Sequence, residues 1–559
     1  MKKRTEAWEA LKHKGNCQVL ILGGGINGAG LLRELAYQGV DSVLIDKNDF
    51  VAGASSKSSR MIHGGLRYLE NREFKLVSEA VHERNRLLRF APHFVFPLKT
   101  SIPIDSWFAG LLKSPLVFMG LPVTPGGRGA FVVKLGLMFY DFITRKQRQT
   151  PPHFFSSKRK SLEEIPGLRD NIVCTANYWD AWVSQAERLC VDMIKEAQGV
   201  HSGTLALNHV DVRRENESTV TLTERTTGET AALQPGMVVN ATGGWIDLTN
   251  ASLGVQSRFM GGTKGSHLVI DNKPLHEALG DRMVYYEHTD GRICITFRFM
   301  DKVIMGSTDI KVENPDEARC EEGEIDYMMT TLRGVFPGLD LSRDDIVYKF
   351  CGVRPLPASR LDYTSRVPRS HHVEISPPDA GRSFPVYSLI GGKWTTFGVF
   401  AREVADRILA ELGAERIRNL DEAPYSGAES FPESDEAKDT LVREFAQRHR
   451  LGEEYAAELL KRYGMEAMTL ADAKSAKLAL PLEALPGYSV GEIEYIAGNE
   501  CIGHLTDLTE RRSLITLLGN SSEEVLEELA RVAGGVLDWS PERRRQEVAS
   551  ALEAASSGK

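Results

Sequence analysis

Three things are missing from this 559-residue sequence, and each excludes a class of protein. No uninterrupted apolar run reaches about 18 residues, the length a membrane-crossing helix needs, so the chain is expected not to span a bilayer. No C-x-x-C pair occurs among the seven cysteines at 17, 174, 190, 294, 320, 351 and 501. A thiol redox motif and a thiolate zinc cluster are therefore not expected, no metal ligand set is proposed, and a reducing compartment such as the cytoplasm fits. Surplus positive charge is missing as well: 68 Lys and Arg stand against 76 Asp and Glu, net charge -8. Nothing in that balance calls for nucleic acid as a partner. The N-terminal stretch MKKRTEAWEALKHKGN is charged and lacks the apolar core of a signal peptide. Internal repeats and low-complexity tracts are not apparent. What remains is an ordinary globular composition, 42% hydrophobic and 26% charged, too long for one core. Two or three domains are expected.

The first structured element is legible. Residues 17–22, CQVLIL, form an apolar run of the kind that makes a buried parallel strand. Gly23-Gly24-Gly25-Ile26-Asn27-Gly28 follows at once, then a helical pattern from Gly28 to Gln38, then a second apolar strand from Ser42 to Ile45. This is a βαβ unit carrying G-x-G-x-x-G. Gly23 permits the tight turn, Gly25 lets the backbone approach a pyrophosphate, and Gly28 lets helix and strand pack closely. The helix N-terminus aims N–H groups and partial positive charge at phosphate. Asp46, at the end of the second strand, suits ribose hydroxyls. The segment 53–70, GASSKSSRMIHGGLRYLE, places hydroxyls at Ser55, Ser56, Ser58 and Ser59, with Arg60, directly after that acid. Such a segment favours FAD over NAD, whose enzymes more often pass straight into a crossover helix. MVVNATG at 237–243 adds a strand ending in a small-residue turn.

Further along, an amphipathic helix is expected from Arg72 to Arg89, with Phe74, Val77, Val81 and Leu88 toward the core. Another is expected over 186–199. Strand-like segments lie at 204–212, 218–224 and 236–241, and HLVI, RICITF and KVIMGS between 256 and 312 suggest an antiparallel sheet. A strand at 385–390 leads through a glycine-rich turn into a helix at 396–412, and 436–559 reads as mostly helical. Between Trp107 and Phe142 the chain is apolar, with Phe108, Phe118, Met119 and Phe131 accompanied by Lys113, Arg128, Lys134, Arg145 and Lys146. Core packing is slightly favoured there; a basic and aromatic membrane-surface patch is the alternative.

The stretches LILGGGINGAG (20–30), SSRMIHGGLRYLE (58–70), NATGGW (240–245), KGSHLVI (264–270), GSTDI (306–310), CGVRPL (351–356) and GGKWTTF (391–397) resemble the bacterial FAD-dependent glycerol-3-phosphate dehydrogenases of the respiratory, aerobic type, within the group that includes D-amino-acid oxidase. They run across about the first 400 residues, and the glycine loop is the least specific of them. The resemblance implies an α/β fold: a Rossmann-like FAD-binding domain from 16–100, 160–255 and 345–415, an antiparallel β-sheet substrate domain from 101–159 and 256–344, and a C-terminal helical domain over 425–559. It also implies noncovalent FAD, electron transfer to a membrane quinone, and dihydroxyacetone phosphate as product. A peripheral position on the inner membrane face and a homodimer are compatible with it.

Residue by residue, the expected cofactor contacts are Gly23, Gly25, Ile26, Asn27 and Gly28; Asp46 and Lys47; Ser55, Ser56, Ser58, Ser59, Arg60 and Met61; Val212; Ala241, Thr242, Gly243 and Trp245; and Gly392, Lys393, Trp394, Thr395 and Thr396. Arg67, Arg354 and Lys393 are the expected grip on a phosphate dianion, with Tyr68 adding a hydroxyl and Arg369 a fourth cation. His267 and His63 are the candidate bases for the alcohol proton. Thr308 and Asp309 either orient the substrate hydroxyl or a histidine, or simply end a strand. The competing functions are an oxidase of the same group that reduces oxygen, an amine or amino-acid oxidoreductase, and a flavoprotein that has lost catalysis. In the C-terminal region Glu492, Glu494, Arg511 and Arg512 are expected on a solvated helical face, with ion pairs or a partner surface as alternatives.

Overall fold

The computed structural model describes residues 1, 3–65, 73–109, 129–145, 149–287, 292–358 and 370–558. Arg67, Tyr68, Lys113, Phe118, Met119, Arg128, Lys146 and Arg369 lie outside the described residues.

The apolar run at the start forms the strand Asn16–Leu22, its last four residues all buried. It is the centre of a parallel sheet ordered Val386–Ile390, Thr230–Asn240, Asn16–Leu22, Ser42–Ile45, Leu205–Leu207. Strands buried on both faces need continuous apolar sequence, which is why Val19 to Leu22 and Val43 to Ile45 are almost wholly inaccessible. The helix Ile26–Tyr37 covers one face with Ala186–Val200 and Phe397–Glu411 against it. A hairpin, Val210–Arg214 and Val220–Glu224, extends the sheet from the strand Thr230–Asn240. The strand His372–Ser376 closes the other edge antiparallel. The first strand pairs on one side with its successor and on the other with a strand two hundred residues later. That is a topological switch point, where doubly wound sheets bind ligands at the carboxyl ends of their strands.

Among the described residues the second sheet has ten strands, and all but one of its pairings are antiparallel. The exception joins Arg282–Glu287 in parallel to Val95–Ile104. Its strands Cys174–Val183 and Ile346–Arg354 come from segments expected in the cofactor-binding domain, and Val95–Ile104 straddles the expected boundary at residue 100. The long helix expected near 72–89 spans Phe74–Phe90 and buries Val77 and Val81, but Phe74 stays exposed.

Residues 435–557 form a helical region with two apolar cores, one around Leu505, Leu508, Leu526 and Leu529 and one around Phe445, Leu459 and Leu470. Ser434, Ser489, Ser522 and Ser540 each accept a backbone N–H at the start of a helix, a cap contributing about 1 kcal/mol apiece. The solvated face expected for this region's charges is not what forms. Glu492 is fully buried and bonded to Arg462, Tyr455 and Tyr463, Glu494 pairs with Lys474 and Lys477, and Arg511 and Arg512 are buried.

Candidate active site

A cavity of about 550 Å³ opens at the carboxyl ends of the parallel strands. Its floor is the glycine loop. Gly23 has φ +103, which L side chains rarely adopt, and a Cβ on Gly28 would lie 1.9 Å from the Gly23 carbonyl oxygen. Close approach of helix to strand therefore requires glycine at 28, although Gly28 itself does not line the cavity. Asp46 sits beside the loop with both oxygens engaged: Gly24 N–H donates at 2.7 Å and Asn48 N–H at 2.9 Å. Burial pushes this carboxyl up to about 6, against the pull of those two N–H groups. Ser55 Oγ accepts Ile26 N–H at 3.0 Å, and Trp394 Nε1 donates to the Ser55 carbonyl at 2.9 Å, which ties the GASSKSSR segment to the turn before the helix Phe397–Glu411. Asn27 Nδ2 donates to the Gly391 carbonyl at 3.2 Å, while Asn27 Oδ1 and Thr395 Oγ1 are buried without a hydrogen-bond partner among the described residues. Buried polar atoms left so are costly unless a ligand meets them.

Of the cofactor contacts expected from sequence, Gly23, Gly25, Ile26, Asn27, Asp46, Lys47, Ser55, Ser58, Ser59, Met61, Val212, Ala241, Thr242, Gly243, Trp245, Gly392, Lys393, Trp394 and Thr395 line this one cavity. Ser56, Arg60 and Thr396 do not. The Ser56 hydroxyl turns back onto the Gly53 carbonyl, and Thr396 is fully buried behind the wall. Arg60 points the other way, 2.5 Å from Glu187 and over the Phe299 ring. Lys57, Thr249, Ser370 and Val353 line the cavity without having been expected. Lys57 stands in the same small-residue segment as the serines, a signal available in sequence; Val353 is brought in by strand pairing and Thr249 by the helix Ile246–Ser252.

The reactive corner is built by the strands Thr263–Ile270 and Ile346–Arg354. Thr263 pairs with Arg354 and His267 with Phe350, so positions 263, 265 and 267 share a face with Arg354. The middle position is Gly265, and a Cβ there would lie 2.2 Å from Arg354 Nη2. Glycine thus leaves the space into which the guanidinium folds toward His267. Gly306, opposite His267 in register, does the same for the imidazole: a Cβ would lie 2.1 Å from Cδ2. His267 stacks on Phe350, centroids 4.9 Å apart and planes 8° apart, and its Nε2 is 2.7 Å from Ser59 Oγ. Burial, and then the Arg354 charge, hold this histidine down to about 3, with a backbone contact to Gly265 opposing them. The ring is neutral at pH 7. His63, half-buried at the end of a short strand, lines the same cavity, as do Arg354 and Lys393.

Thr308 and Asp309 are not on the cavity wall. Thr308 Oγ1 donates to Glu324 at 2.5 Å and accepts Ser266 N–H at 2.9 Å, which pins two strands to the helix Glu322–Val335. Asp309 is 3.0 Å from Arg354 Nη1, and Arg354 Nη2 donates to Ser307 Oγ and the Thr308 carbonyl, each at 2.9 Å. These two residues therefore hold the arginine, not a hydroxyl in the cavity. Two clusters among the described residues bring metal-ligand side chains together, Asp49–His209–Asp507 and Glu79–His371–Glu403, and neither lines the cavity.

A Rossmann-type sheet with a dinucleotide-sized cavity at its switch point defines an oxidoreductase built around a bound redox cofactor. Residues 18–407 match the family described as FAD dependent oxidoreductase, and the chain belongs to that family; its cofactor is FAD. Residues 420–544 match the C-terminal domain of alpha-glycerophosphate oxidase. The chain is 30% identical over 526 residues to glycerol-3-phosphate dehydrogenase of Synechocystis sp., covering 90% of this chain and 89% of that protein. It is 32% identical over 408 residues to D-erythritol 1-phosphate dehydrogenase of Brucella abortus (72% and 74% covered). Against aerobic glycerol-3-phosphate dehydrogenase of Escherichia coli the identity is 31% over 410 residues (70% and 73% covered). In fold it is similar to the glycerol-3-phosphate dehydrogenase from Bacillus halodurans complexed with FAD, with a TM-score of 0.76 at 22% identity over 100% of this chain and 98% of that one.

Proposed function

We propose that this enzyme oxidises the secondary alcohol of sn-glycerol 3-phosphate to the ketone of dihydroxyacetone phosphate and passes the electrons to a membrane quinone. One observation carries the reading: a buried, neutral histidine stands beside an arginine on the wall of the cofactor cavity, in a chain whose relatives are named for polyol phosphates. FAD, when bound without a covalent link, supplies the hydride acceptor at its N5. The side chains supply the rest. The substrate hydroxyl takes the place of Ser59 Oγ at His267 Nε2, 2.7 Å away without substrate, and His267 accepts the carbinol proton there. Arg354 acts on the phosphate dianion from the same corner through its charge, its Nη donors being held by Asp309, Ser307 and the Lys264 and Thr308 carbonyls. Lys393 adds a second cation on the same cavity. Arg67, Tyr68 and Arg369 join this grip by family resemblance.

The quinone assignment draws on an exposed apolar face. Phe131, Leu135, Met138, Phe139 and Phe142 of the helix Ala130–Thr144 are all exposed, Phe142 at 58%, and the spacing places them along one side. Trp107 and Phe108 are exposed too, Phe108 at 68%. The core packing favoured from sequence is therefore not what these residues do. Arg145 lies over the Phe142 ring, 4.4 Å from its centroid, and Lys134 stands on the same helix. Aromatic and basic groups together suit the headgroup boundary of a bilayer. No helix among the described residues is long and apolar enough to cross a membrane.

The match of residues 420–544 to an oxidase domain favours a second reading, with oxygen as the acceptor. Turnover with glycerol 3-phosphate in air separates the two: hydrogen peroxide in step with product supports the oxidase, and quinone-dependent turnover without peroxide supports the dehydrogenase. Arg354→Ala tests the substrate. It is expected to raise the KM for glycerol 3-phosphate by about tenfold or more and to leave the poor turnover of glycerol little changed. Equal effects on both would refute the phosphate grip.

A further inference from the structure

The paired arginines of the C-terminal region do not face solvent. Both reach one carboxylate, Asp49, which lies three residues past the cofactor acid Asp46 and is fully inaccessible. Arg511 Nε donates to Asp49 Oδ2 at 2.7 Å, Arg512 Nη1 to the same oxygen at 2.7 Å, and Arg512 Nη2 to Oδ1 at 2.8 Å. Asn208 Nδ2 completes the set at 2.7 Å. Consecutive residues of an α-helix diverge by about 100° and do not share a target. Here the two arginines lie at the end of a π-helical turn, Leu508–Arg512, of the wider kind that recurs at functional positions. Asp49, His209 and Asp507 approach closely enough to hold a metal ion, but their oxygens are already taken. Asp507 accepts from Gly503 N–H, His504 N–H, His209 and Arg511.

From Asp49 the connection to the cavity is short. Asn48 N–H donates to Asp46 Oδ1 at 2.9 Å, and the Asn48 carbonyl accepts His209 N–H at 2.8 Å. Val210 N–H binds the Asp46 carbonyl at 2.8 Å, and Val51 N–H binds the Gly24 carbonyl at 3.1 Å. Lys47 and Asn48 themselves line the cavity. The turn that carries Asp46 is thus fastened to the glycine loop at one end and to the C-terminal region at the other.

We propose that the C-terminal helical region is a cofactor-positioning element: Arg511 and Arg512 clamp Asp49 and so hold the Asp46–Asn48 turn in the shape that receives FAD. The clamp acts through other groups, so its residues are positioning residues. It depends on FAD being the cofactor and is independent of which substrate is oxidised.

The test is the first-order rate of FAD release from the holoenzyme after dilution, read as the rise of free flavin fluorescence, together with the FAD Kd. Asp49→Asn and Arg512→Gln are each expected to speed release and raise Kd by about tenfold or more, and Arg512→Lys, which keeps charge without the fork, by less. Glu492→Gln is the control. It removes a buried pair with Arg462 inside the helical region, and it should lower Tm while leaving FAD release within about twofold. Should Arg512→Gln not fold, Arg511→Gln leaves both Arg512 bonds in place and is expected to speed release by about threefold or more. Release within about twofold of the parent in the clamp variants, or an equal acceleration in Glu492→Gln, overturns the proposal. A variant series that behaves as expected in a protein whose flavin glycerol 3-phosphate does not reduce would refute the substrate reading and leave the clamp standing.

Discussion

His267→Asn removes the proposed base while keeping a polar group near Ser59. The side chain is 3% exposed, stacked on Phe350 and set against a glycine at 306. Truncation therefore leaves a small void and loses one ring stack, an expected destabilisation of about 1–3 kcal/mol that a folded holoenzyme survives. The chemical cost is at least as large. On that assignment the neutral ring accepts the carbinol proton as hydride leaves, and because a ring held down to about 3 is a weak base the expected loss is about 10² in rate, or about 3 kcal/mol of barrier. The assay is stopped-flow reduction of the flavin by glycerol 3-phosphate without oxygen, so that the acceptor plays no part. Substrate Kd from the concentration dependence should move little, because Arg354 and Lys393 are untouched. A limiting reduction rate within about threefold of the parent, in a variant that binds FAD normally, would refute the assignment and turn attention to His63 on the same cavity.

Gly265→Ala places a methyl group where Arg354 Nη2 now lies, 2.2 Å from the new carbon, and is expected to raise the KM for glycerol 3-phosphate by about tenfold while FAD binding holds. Steady-state kinetics beside flavin titration checks it. Asp46 carries the pH prediction. Its carboxyl is raised to about 6 by burial; on the proposal that ribose hydroxyls donate to its ionised form, binding FAD must displace the proton. Affinity should therefore rise with pH up to about 6, level off above it, and fall by up to about tenfold per unit below; Asp46→Asn should bind weakly with that slope gone. Phe139→Asp with Phe142→Asp puts two charges on the exposed helix face and is expected to abolish sedimentation with anionic vesicles while leaving anaerobic flavin reduction intact. Undiminished sedimentation would sink the docking face.

What the sequence discloses here divides along a physical line. The glycine loop, Asp46 and the strands around them form from contiguous residues, so their spacing already encodes turn, helix and approach. KGSH is legible in the same way: alternation puts Gly265 and His267 on one face, and strand pairing then delivers Arg354 there. Arg60 misleads because its partner Glu187 is 127 residues away on the helix Ala186–Val200, which no local pattern announces. Thr308 and Asp309 stand in a distinctive motif, but Glu324 and Arg354 claim them, and both partners arrive through tertiary packing. Arg511 and Arg512 lie 462 and 463 residues from Asp49. A run of charge on a helical segment ordinarily means a wet surface, and only the docking of the helical region against the helix Ala186–Val200 and the Asp49 turn inverts that. The helix Ala130–Thr144 fails expectation from the other side: its composition matches a core, yet only the Leu137 and Tyr140 side is buried, while Phe131, Leu135, Met138 and Phe142 stay exposed.

The measurement that bears most directly on the account is anaerobic mixing of the FAD holoenzyme with sn-glycerol 3-phosphate, following the flavin absorbance and the ketone product together. The account predicts bleaching of the flavin with one dihydroxyacetone phosphate formed per FAD. A flavin that stays oxidised with this substrate but is bleached by D-erythritol 1-phosphate or by an amino acid would contradict it.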